Sequence, residues 1–413
     1  MLTILQISDI HFYKIDNAVD EYSEMRQRMK DCISDFCEKG KIDFLIICGD
    51  IAFSGSASEY KNKAKPFISD LLKLMRGNPN QVYVIPGNHD KDREAKGKHT
   101  RAFLRDGLLN DKQADAILSN IKQEEPDTIA AIYKPFHDYM EFANEYDSLS
   151  GVAKKVFIGD KITFNDNMYW SCEIGKLGNY TVELYGINSC LASDDKDDKE
   201  HHQALPRMAY KTVQKRNIIN ISMMHHPMDF INNNDVVKAE FDNLYVVQFY
   251  GHLHRQSISV DNAIKVFSGA LQPGHRNDDD KEEYRPVFNI IQMDVNKDTL
   301  LLKVKPYVWD IDEKHPTFKI KKEEEFSLDL TWLRDMKTPC TVKQNKNLPE
   351  GISERDIKIR LMKYPHYHDI IKKMNNEFKL TGDKAKDCIK FFEWVSERSD
   401  YLALHNILIK YEK

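Results

Sequence analysis

The sequence predicts an α/β fold, in which a parallel sheet is wound with helices and followed by a second set of strands. Three observations support this prediction. Apolar runs alternate with amphipathic segments near the N-terminus, short strand-like runs fill the chain from about residue 156, and several runs end directly before aspartate, asparagine or histidine. Alternation of strands and helices is typical of parallel pairing with helices on the sheet faces.

The N-terminal part predicts the parallel strands and their helices. Apolar runs at Thr3–Ser8, Phe44–Cys48 and Val82–Pro86 have the composition of strands. Apolar residues recur at helical spacing from about Asp20 to Lys39, where Gly40 predicts the end of the helix, and again over Ala64–Arg76. The order is strand, helix, strand, helix, strand.

The later part of the chain predicts a mixed or antiparallel arrangement. Short β-branched and aromatic runs follow one another and are separated mostly by turn residues. The predicted strands are Val156–Ile158, Met168–Ile174, Tyr180–Asn188, Asn217–Met224, Asp242–Tyr250, Ser257–Val260, Ala263–Phe267, Val287–Val295 and Thr299–Val308.

Charge and helical patterning divide the chain into parts. We expect a catalytic domain over residues 1–312, with a helical cap inserted at about 92–150 that overhangs the site and shapes substrate access. A solvated helical insertion would show the same pattern. Residues 313–352 lose the strand rhythm and predict a linker. Residues 353–413 predict a small helical module, which we expect to pack or to bind a protein partner.

Composition excludes some classes of protein. The formal net charge of -5 gives no overall basic field, so nucleic acid is neither required nor excluded as a partner. Seven cysteines without a Cys-x-x-Cys pair are typical of reduced core residues. The first residues lack the pattern of a secretion signal, and no apolar run reaches membrane-spanning length. We therefore expect a cytoplasmic protein that does not bind a membrane.

Polar residues that can bind metal ions follow five of the predicted strands. Imidazole, carboxylate and amide oxygen are ligands that borderline divalent ions prefer, whereas a zinc finger or iron–sulfur site would need thiolates. A single polar residue at a strand end is usually a cap, but an ordered set of five loops indicates a metal site. The candidates are Asp9, His11, Asp50, Asn88, His89, His225, His252 and His254.

These loops resemble the five signature motifs of the calcineurin-like metallophosphoesterase superfamily, in the order of the family. The resemblance covers roughly Met1 to Val308. It implies a four-layer αββα sandwich, two mixed sheets flanked by helices, with a two-metal site at the strand ends. The motifs are Asp9-Ile10-His11, Gly49-Asp50, Gly87-Asn88-His89-Asp90, His225-His226-Pro227 and Gly251-His252-Leu253-His254.

The resemblance also implies the role of each residue. Position by position, Asp9, His11 and His254 would bind the first metal. Asn88, His225 and His252 would bind the second, and Asp50 would bridge the two ions. His89 would contact the substrate phosphate as general acid, with Asp90 orienting it. His226 would lie behind the ligands as a second-sphere residue, because the family keeps the position of His225 where a second histidine is lacking.

Two ions about 3.5–4 Å apart can hold a bridging hydroxide at neutral pH and clamp a phosphoryl group for in-line displacement. Repulsion between the ions explains a bridging carboxylate. The ligand types suit manganese, iron, zinc or nickel. The cofactors expected are therefore two divalent metal ions of undetermined identity.

Departures from the subfamilies favour a phosphodiesterase. Protein phosphatases of the superfamily carry Gly-Asp-x-x-Asp-Arg-Gly, whereas here Gly49–Gly55 lacks that second acid and the arginine. The compact spacing is similar to bacterial class III cyclic-nucleotide phosphodiesterases and, more loosely, to the exonucleases of recombination complexes. The expected substrate is a phosphate ester, either a nucleotide or nucleic acid.

Two alternatives stay open. A nuclease would need a basic groove, and a basic cluster follows Asp90, although an exposed helix face would explain it equally well. The candidate substrate contacts in this cluster are Arg93, Lys98, His99 and Arg101. The second alternative is a non-catalytic scaffold of the same fold, against which the intact ligand set argues.

Overall fold

The computed structural model describes two compact units, Met1–Arg334 and Asp335–Lys413. The residues described are 1–13, 20–92, 95, 133–146, 169–193, 203–205, 209–210, 214–232, 234–273, 284–310, 315–336, 354–375, 378–398 and 401–411.

The first unit contains all the described strands. They are β1 (Leu2–Ile7), β2 (Phe44–Cys48), β3 (Val82–Ile85), β4 (Tyr169–Leu177), β5 (Tyr180–Ile187), β6 (Ile218–Met224), β7 (Val247–Tyr250), β8 (Gln256–Val260), β9 (Ile264–Ser268), β10 (Val287–Asn296), β11 (Thr299–Asp310), β12 (Thr317–Ile320) and β13 (Glu324–Asp329). Its helices are α1 (Ser23–Lys39), α2 (Ala57–Glu59), α3 (Lys65–Met75), α4 (His137–Ala143), α5 (Asn234–Leu244) and α6 (Thr331–Asp335). A π-helical turn, Tyr60–Ala64, joins α2 to α3.

The strands form two mixed sheets. The first has the order β12-β11-β10-β1-β2-β3, with β13 also paired to β11. In it β1, β2 and β3 are parallel, and β10 lies antiparallel to β1. The second has the order β4-β5-β6-β7-β9-β8 and is parallel from β5 through β6 and β7 to β9. The parallel strands bring several loops to one edge of each sheet.

The sheets face each other and carry helices outside. Between them, Nε2 of Gln6 lies 3.5 Å from the carbonyl oxygen of Val266, and the rings of Tyr83 and Trp170 stack with centroids 6.1 Å apart. Helices α1 and α3 pack together beside the first sheet. Helix α5 buries Phe241 in an apolar cluster on the second sheet. The predicted four-layer αββα sandwich is therefore confirmed.

Helix α1 shows why the sequence pattern was informative. Met25, Met29 and Ile33 recur every four residues and are fully buried, so one face of the helix packs inward. The helix ends at Lys39, and the backbone N–H of Gly40 donates a 2.9 Å hydrogen bond to the carbonyl of Phe36. Strand β2 has the bounds that its apolar run predicts, and β3 ends at Ile85, one residue before the end of its run.

Two boundaries differ from the sequence prediction. Strand β7 begins at Val247 rather than near Asp242, because helix α5 continues to Leu244. Residues assigned to the start of a linker instead form β12 and β13, and both strands pair with β11. The alternation in these strands is masked by charged residues on the exposed face, so the sheet extends further than the apolar pattern indicates.

The predicted cap is described mainly near its end, apart from Asp92 and Ala95 at its start. Residues 134–136 form a 3-10 turn, and α4 follows. The ring of Phe142 stacks on Tyr60 with centroids 4.8 Å apart, and Oδ2 of Asp138 accepts a 2.8 Å hydrogen bond from the N–H of Ala57. This stretch therefore packs on the segment that carries α2. The rest of the predicted cap, and the predicted strand Val156–Ile158, lie outside the described residues.

The second unit is helical. It consists of α7 (Glu354–Lys363), α8 (Tyr367–Met374), α9 (Lys384–Arg398) and α10 (Tyr401–Tyr411). These helices share an apolar core that includes Ile370, Phe391 and Leu404, all fully buried. The predicted helical module therefore has an apolar core of its own. Its role as a partner-binding unit stays a prediction.

Within the described part of the chain, none of the helices combines the length and apolar character needed to cross a bilayer. Six of the seven cysteines are described, and each has a free thiol.

Candidate metal centre

The candidate ligands come from loops at the carboxyl ends of strands in both sheets. In the first sheet, the backbone N–H of Asp9 donates a 3.1 Å hydrogen bond to the carbonyl of Gly49, and this bond joins the loops after β1 and β2. In the second sheet, the backbone N–H of Gly251 donates a 3.0 Å hydrogen bond to the carbonyl of His225, and this bond joins the loops after β6 and β7. Parallel pairing brings these loops together, so the ligands converge at one edge of the sandwich.

Asp9, His11 and His254 form the first group. Their ligand atoms lie within 4.8 Å of one another. Nε2 of His254 lies 3.3 Å from Oδ1 of Asp9 and 3.2 Å from Nε2 of His11. The carboxylate of Asp9 is fully buried and also accepts a 3.2 Å hydrogen bond from the backbone of His252. This group matches the set predicted for the first metal.

The second group lies around His225. Its Nε2 is 2.9 Å from Oδ1 of Asn88, and its ring centroid is 5.2 Å from that of His252. Nδ1 of His225 lies 2.8 Å from the carbonyl oxygen of Cys48, which can only accept a hydrogen bond. Nδ1 therefore carries the proton and leaves Nε2 as the ligand atom. The structure therefore brings together Asn88, His225 and His252, the residues predicted to bind the second metal.

Asp50 lies between the two groups. Its Oδ2 is 3.8 Å from Nε2 of His11 and 3.4 Å from Nε2 of His225. Its Oδ1 accepts a 2.8 Å hydrogen bond from the backbone N–H of His89. One carboxylate oxygen thus faces a histidine of each group while the other is held by the chain. This is the arrangement that a bridging ligand requires.

The ring of His226 lies directly against the second ligand group. Its ring centroid is 4.5 Å from that of His252, and the ligand atoms of His225, His226 and His252 lie within 4.8 Å of one another. Nδ1 of His226 is 2.9 Å from the hydroxyl of Ser189. Its second-sphere role stays a prediction.

The backbone of these loops is strained at the ligands themselves. The positive φ angles are 50° at Asp9, 50° at His11, 53° at Asp50, 69° at His252 and 57° at His254. Such left-handed conformations cost non-glycine residues about 1–3 kcal/mol each and cluster at functional sites. The carbonyl of Asp50 accepts hydrogen bonds from Ile10 at 2.8 Å and His11 at 3.0 Å, which hold the loops in this geometry.

The charges of the site favour ionised carboxylates. Burial raises the pKa of Asp50, but the charges of His225 and other histidines outweigh it and hold the pKa well below its usual range. Burial likewise raises the pKa of Asp9, and the hydrogen bond and charge of His254 reverse the direction. Burial lowers the pKa of His225, but Asp50 raises it to about 9.

Other histidines are held neutral. Burial lowers the pKa of His11 to about 4 and that of His252 to about 3. Neutral imidazoles and ionised carboxylates are the forms that ligate metals, so a metal ion at His225 would displace the Nε2 proton that its raised pKa favours.

The residues fit a pair of divalent ions. Nε2 of His226 is buried without a hydrogen-bond partner among the described residues, and the buried Oδ1 of Asp9 faces Nε2 of His254 at 3.3 Å. A buried carboxylate needs a compensating positive charge, which a cation supplies. Nitrogen and oxygen donors in two groups joined by one carboxylate suit zinc, manganese, iron or nickel.

His89 lies beside the first ligand group. Its Nδ1 lies 2.9 Å from the carbonyl oxygen of Phe53, and its ring lies edge-on to that of His11 with centroids 4.7 Å apart. The ring is therefore at the mouth of the first group, as expected for a substrate contact. Phe53, however, supplies the contact that orients it.

Asp90 is a loop anchor, which corrects the prediction that it orients His89. Its fully buried carboxylate accepts backbone hydrogen bonds from Ile51 at 3.1 Å, Ala52 at 2.9 Å and Gly87 at 2.9 Å. The hydroxyl of Tyr60 donates a fourth, at 2.8 Å. Because these donors use both oxygens, Asp90 fixes the loops that carry Asp50 and Asn88.

Gly87 allows the closest approach between these loops. A Cβ at this position would lie 2.0 Å from Oδ1 of Asp50 and 2.3 Å from the backbone nitrogen of Asp50. Only glycine fits there, which gives the Gly-Asn-His-Asp motif a steric reason.

An aromatic pair borders the site. Tyr13 and Phe53 are about 40% exposed, and their ring centroids are 4.4 Å apart. The ring of Phe53 also lies 5.2 Å from that of His89. By contrast, the predicted substrate contacts Arg93, Lys98, His99 and Arg101 lie outside the described residues.

Sequence reasoning missed several residues of the site. Tyr60 lies thirty positions before Asp90 and has no motif of its own. The carbonyl groups of Cys48 and Phe53 are independent of side-chain type. No local sequence signal could have found these contacts, because the fold creates them.

Comparison with known proteins gives one family. The family model for calcineurin-like phosphoesterases matches residues 2–256. A protein of Bacillus subtilis (strain 168), described as an uncharacterized metallophosphoesterase-like protein, YydB, is 28% identical over 334 residues. The match covers 75% of this chain and 60% of that relative, so the chain spans three fifths of its length.

Solved structures with a similar arrangement are more distant. Purple acid phosphatase PPD1 from yellow lupin (Lupinus luteus) seeds is 11% identical with a TM-score of 0.41, over 80% of this chain and 55% of that one. A structure described as a putative 5'-nucleotidase from Staphylococcus aureus, in complex with alpha-ketoglutarate, is 13% identical with a TM-score of 0.34. It matches over 81% of this chain and 57% of that one.

Proposed function

The chain belongs to the calcineurin-like phosphoesterase family, and from this premise we propose that it is a metal-dependent phosphodiesterase that acts on a nucleotide or cyclic nucleotide. One observation carries the proposal. Oδ2 of Asp50 faces Nε2 of His11 at 3.8 Å and Nε2 of His225 at 3.4 Å, so that one carboxylate joins two ligand groups. A single ion would not need this arrangement.

When bound, a pair of divalent ions supplies Lewis-acid stabilisation of the phosphoryl oxygens and lowers the pKa of a water nucleophile. Asp9, His11 and His254 would hold one ion, and Asn88, His225 and His252 the other, with Asp50 shared. The Cys48 carbonyl keeps the proton of His225 on Nδ1, so that Nε2 faces inward.

His89 acts on the substrate side of the site. The carbonyl of Phe53 holds Nδ1 of its ring, which fixes the tautomer and directs Nε2 away from that carbonyl. In its protonated form the ring donates a proton to the leaving oxygen or a hydrogen bond to the charged phosphoryl group. Asp90 supports this chemistry indirectly, through the loops it anchors.

The nuclease is a second candidate. It requires a basic groove beside the metal centre, and a cavity lined by Arg255, Arg285, Lys319 and Lys321 begins next to His254. The cyclic-nucleotide proposal rests instead on the compact motif spacing and on the absence of the protein-phosphatase acid and arginine after Asp50.

The test is an activity panel with the chelator-treated protein reloaded with Mn²⁺. The substrates are bis-p-nitrophenyl phosphate, p-nitrophenyl phosphate, cyclic nucleotides, and single- and double-stranded DNA. We expect diester hydrolysis to exceed monoester hydrolysis and to disappear with chelator. Asp50→Asn and His225→Gln should each lower kcat/KM more than about 100-fold, since metal clamping contributes several kcal/mol.

A matched control is Asp294→Asn, which changes an exposed aspartate on β10 that pairs with the N-terminal amine. Full activity in Asp50→Asn would contradict the metal assignment. Hydrolysis of monoesters alone would contradict the diesterase proposal, and inactivity of the metal-loaded protein on every ester would favour the scaffold.

The helical unit from α7 to α10 is proposed to bind a protein partner. Met362 is 48% exposed and Ile389 is 55% exposed, which is unusual for apolar side chains of this size. Proteins that co-purify with the wild-type chain should be lost from Ile389→Lys, as measured by quantitative mass spectrometry. An unchanged set of co-purifying proteins would contradict this role.

A further inference from the structure

A cavity of about 760 Å³ opens at the same edge of the sandwich as the metal centre. Gln256 of β8 contributes to its wall from the second sheet, and Val287, Val308 and Lys319 contribute from the first. The latter three share one register row across β10, β11 and β12. The cavity therefore lies between the outer strands β8 and β12 of the two sheets.

The backbone connects this cavity to the first ligand group. Arg255 lines it and directly follows the candidate ligand His254. The carbonyl of His254 accepts a 3.4 Å hydrogen bond from the backbone N–H of Ala270. The carbonyl of Ala270 in turn accepts a 3.0 Å hydrogen bond from the backbone N–H of Val287. Two backbone hydrogen bonds thus lead from the ligand to the cavity wall.

Strand direction places both sites at one edge. Strand β10 runs antiparallel to β1, so Val287 at its start lies near the end of β1 that delivers Asp9. Strand β11 runs antiparallel to β10, so Trp309 and Asp310 at its end return to the same edge. A long substrate could therefore occupy the metal centre and the cavity together.

The described lining of the cavity is mainly cationic. Among the described residues, Arg255, Arg285, Lys319 and Lys321 line it together with one carboxylate, Asp310. Asp310 pairs with Lys319 at 3.3 Å. The whole chain has a net charge of -5, so this surface is opposite in sign to the average. The charge favours an anionic ligand.

One further group indicates more than a bare anion. Trp309 lines the cavity and is half-buried, with its ring supported edge-on by Phe318 at 5.2 Å. An indole face beside cations is the combination that binds nucleobases together with their phosphates.

We propose that this cavity binds a second nucleotide of a single-stranded oligonucleotide whose scissile phosphate lies at the metal centre. The inference rests on the second candidate function, the nuclease, and specifies single-stranded nucleic acid as its substrate. Arg285 and Lys321 contact phosphate, and a base stacks on Trp309. A cavity of this volume falls within the range of small-ligand sites, which is more space than one phosphate needs.

The test measures binding without metal, so it does not depend on turnover. A fluorescent ten-residue oligothymidylate is titrated with the full chain in excess chelator, and anisotropy gives Kd. Arg285→Gln/Lys321→Gln should raise Kd at least tenfold at low salt. It should also reduce the slope of log K against log salt by about 1.4, since each phosphate contact contributes about 0.7 for single strands.

The matched control removes two charges elsewhere. Lys176 and Lys297 are exposed and lie near the β4–β5 and β10–β11 turns, at the opposite edge of the sheets. Lys176→Gln/Lys297→Gln should leave Kd within twofold. Equal weakening by both double variants, or no weakening by either, would overturn the proposal.

Trp309→Leu tests the stacking. It should raise Kd about fivefold to a hundredfold while retaining the wild-type circular dichroism spectrum. Displacement by inorganic tripolyphosphate as efficient as displacement by unlabelled oligonucleotide, with no effect of Trp309→Leu, would assign the cavity to a polyphosphate and overturn the oligonucleotide.

The two proposals fail separately. Hydrolysis of bis-p-nitrophenyl phosphate combined with oligonucleotide binding that ignores the cavity substitutions would overturn only the cavity inference. Oligonucleotide binding that depends on the cavity, in a metal-loaded protein that cleaves no diester, would contradict only the proposed function.

Discussion

The hydroxyl of Tyr60 donates a 2.8 Å hydrogen bond to Oδ1 of Asp90, and both side chains are fully buried. This contact ties the π-helical turn between α2 and α3 to the loops of the metal centre. Because Asp90 also accepts from the backbone of Ile51, Ala52 and Gly87, its carboxylate organises two of the five ligand loops. Its role is therefore to hold loops, and its effect on chemistry is indirect.

Substitutions of Tyr60 and of Asp90 should have different effects on the stability of the fold and on metal binding. Tyr60→Phe should lower the free energy of unfolding by about 1–3 kcal/mol, since a buried carboxylate loses one donor, and should leave metal content unchanged. Asp90→Ala should cost more, because three backbone N–H groups lose their acceptor, and should also reduce metal content. Urea unfolding and metal analysis measure these effects.

The control for the aromatic change is Tyr307→Phe. The Tyr307 ring stacks on Phe288 with centroids 4.7 Å apart, and no hydrogen bond of its hydroxyl is found within the described residues. It should change unfolding by less than about 0.5 kcal/mol. If Asp90→Ala binds metal normally, the loop-anchoring role of Asp90 is wrong.

Gly87→Ala should damage the site through sterics alone. The new Cβ would fall 2.0 Å from Oδ1 of Asp50, far inside contact distance, so the loop carrying Asn88 must move. We expect loss of metal binding and a lower melting temperature. Calorimetric metal titration and thermal unfolding would measure both.

Gly40→Ala is the matched control. Its Cβ would meet the Phe36 ring at 3.4 Å, an ordinary contact, and the backbone there is extended. It should bind metal like the wild type. Equal metal affinity in the Gly87 and Gly40 variants would show that the loop tolerates the clash and that the close packing at Asp50 is unimportant.

His89→Gln should lower kcat in a way that depends on the leaving group. General acid catalysis contributes about 10²–10⁴-fold where the leaving oxygen needs a proton, as in a nucleoside ester. A p-nitrophenolate leaves without one, so its loss should be much smaller. Metal content should stay unchanged, because the structure gives Nδ1 of His89 a carbonyl partner at 2.9 Å.

Steady-state kinetics on both ester types, with exposed His315→Gln as control, would measure this difference. Equal losses on the two esters would contradict proton donation by His89 and leave it with phosphate binding only.

The helical unit should lose stability in acid because of Asp387. Burial raises the pKa of Asp387, but hydrogen bonds from the hydroxyl and N–H of Thr381, both 2.7 Å, and from Gly382 outweigh it, so the pKa lies below its usual value of 3.8. A carboxyl with a lowered folded-state pKa stabilises the fold above its unfolded pKa, and this contribution is lost as pH falls through the folded pKa.

Urea unfolding of the full chain, followed by circular dichroism between pH 6 and 3, would test this. Asp387→Asn should be less stable than the wild type at pH 6, and the difference should shrink below about pH 4. A difference that is constant with pH would exclude ionisation of Asp387 as its cause.

The family and the ligand set could be predicted from the sequence because they depend on local signals. Apolar runs such as Phe44–Cys48 predict buried strands, and the residues that follow them are set by the order of the chain. Asp50 and the His252–His254 pair were therefore found directly. Strands β12 and β13 were missed because their exposed faces are charged and pairing with β11, rather than local pattern, makes them strands.

The sequence by itself determined which residues can ligate metal and in which order the strands deliver them. Only the tertiary structure decided the role of Asp90, since its partners are three backbone groups and a tyrosine thirty residues away. It also decided that cations in or next to β8, β10 and β12 share one cavity beside His254. Contacts between distant segments follow from sheet pairing and strand direction, which no local stretch of sequence encodes.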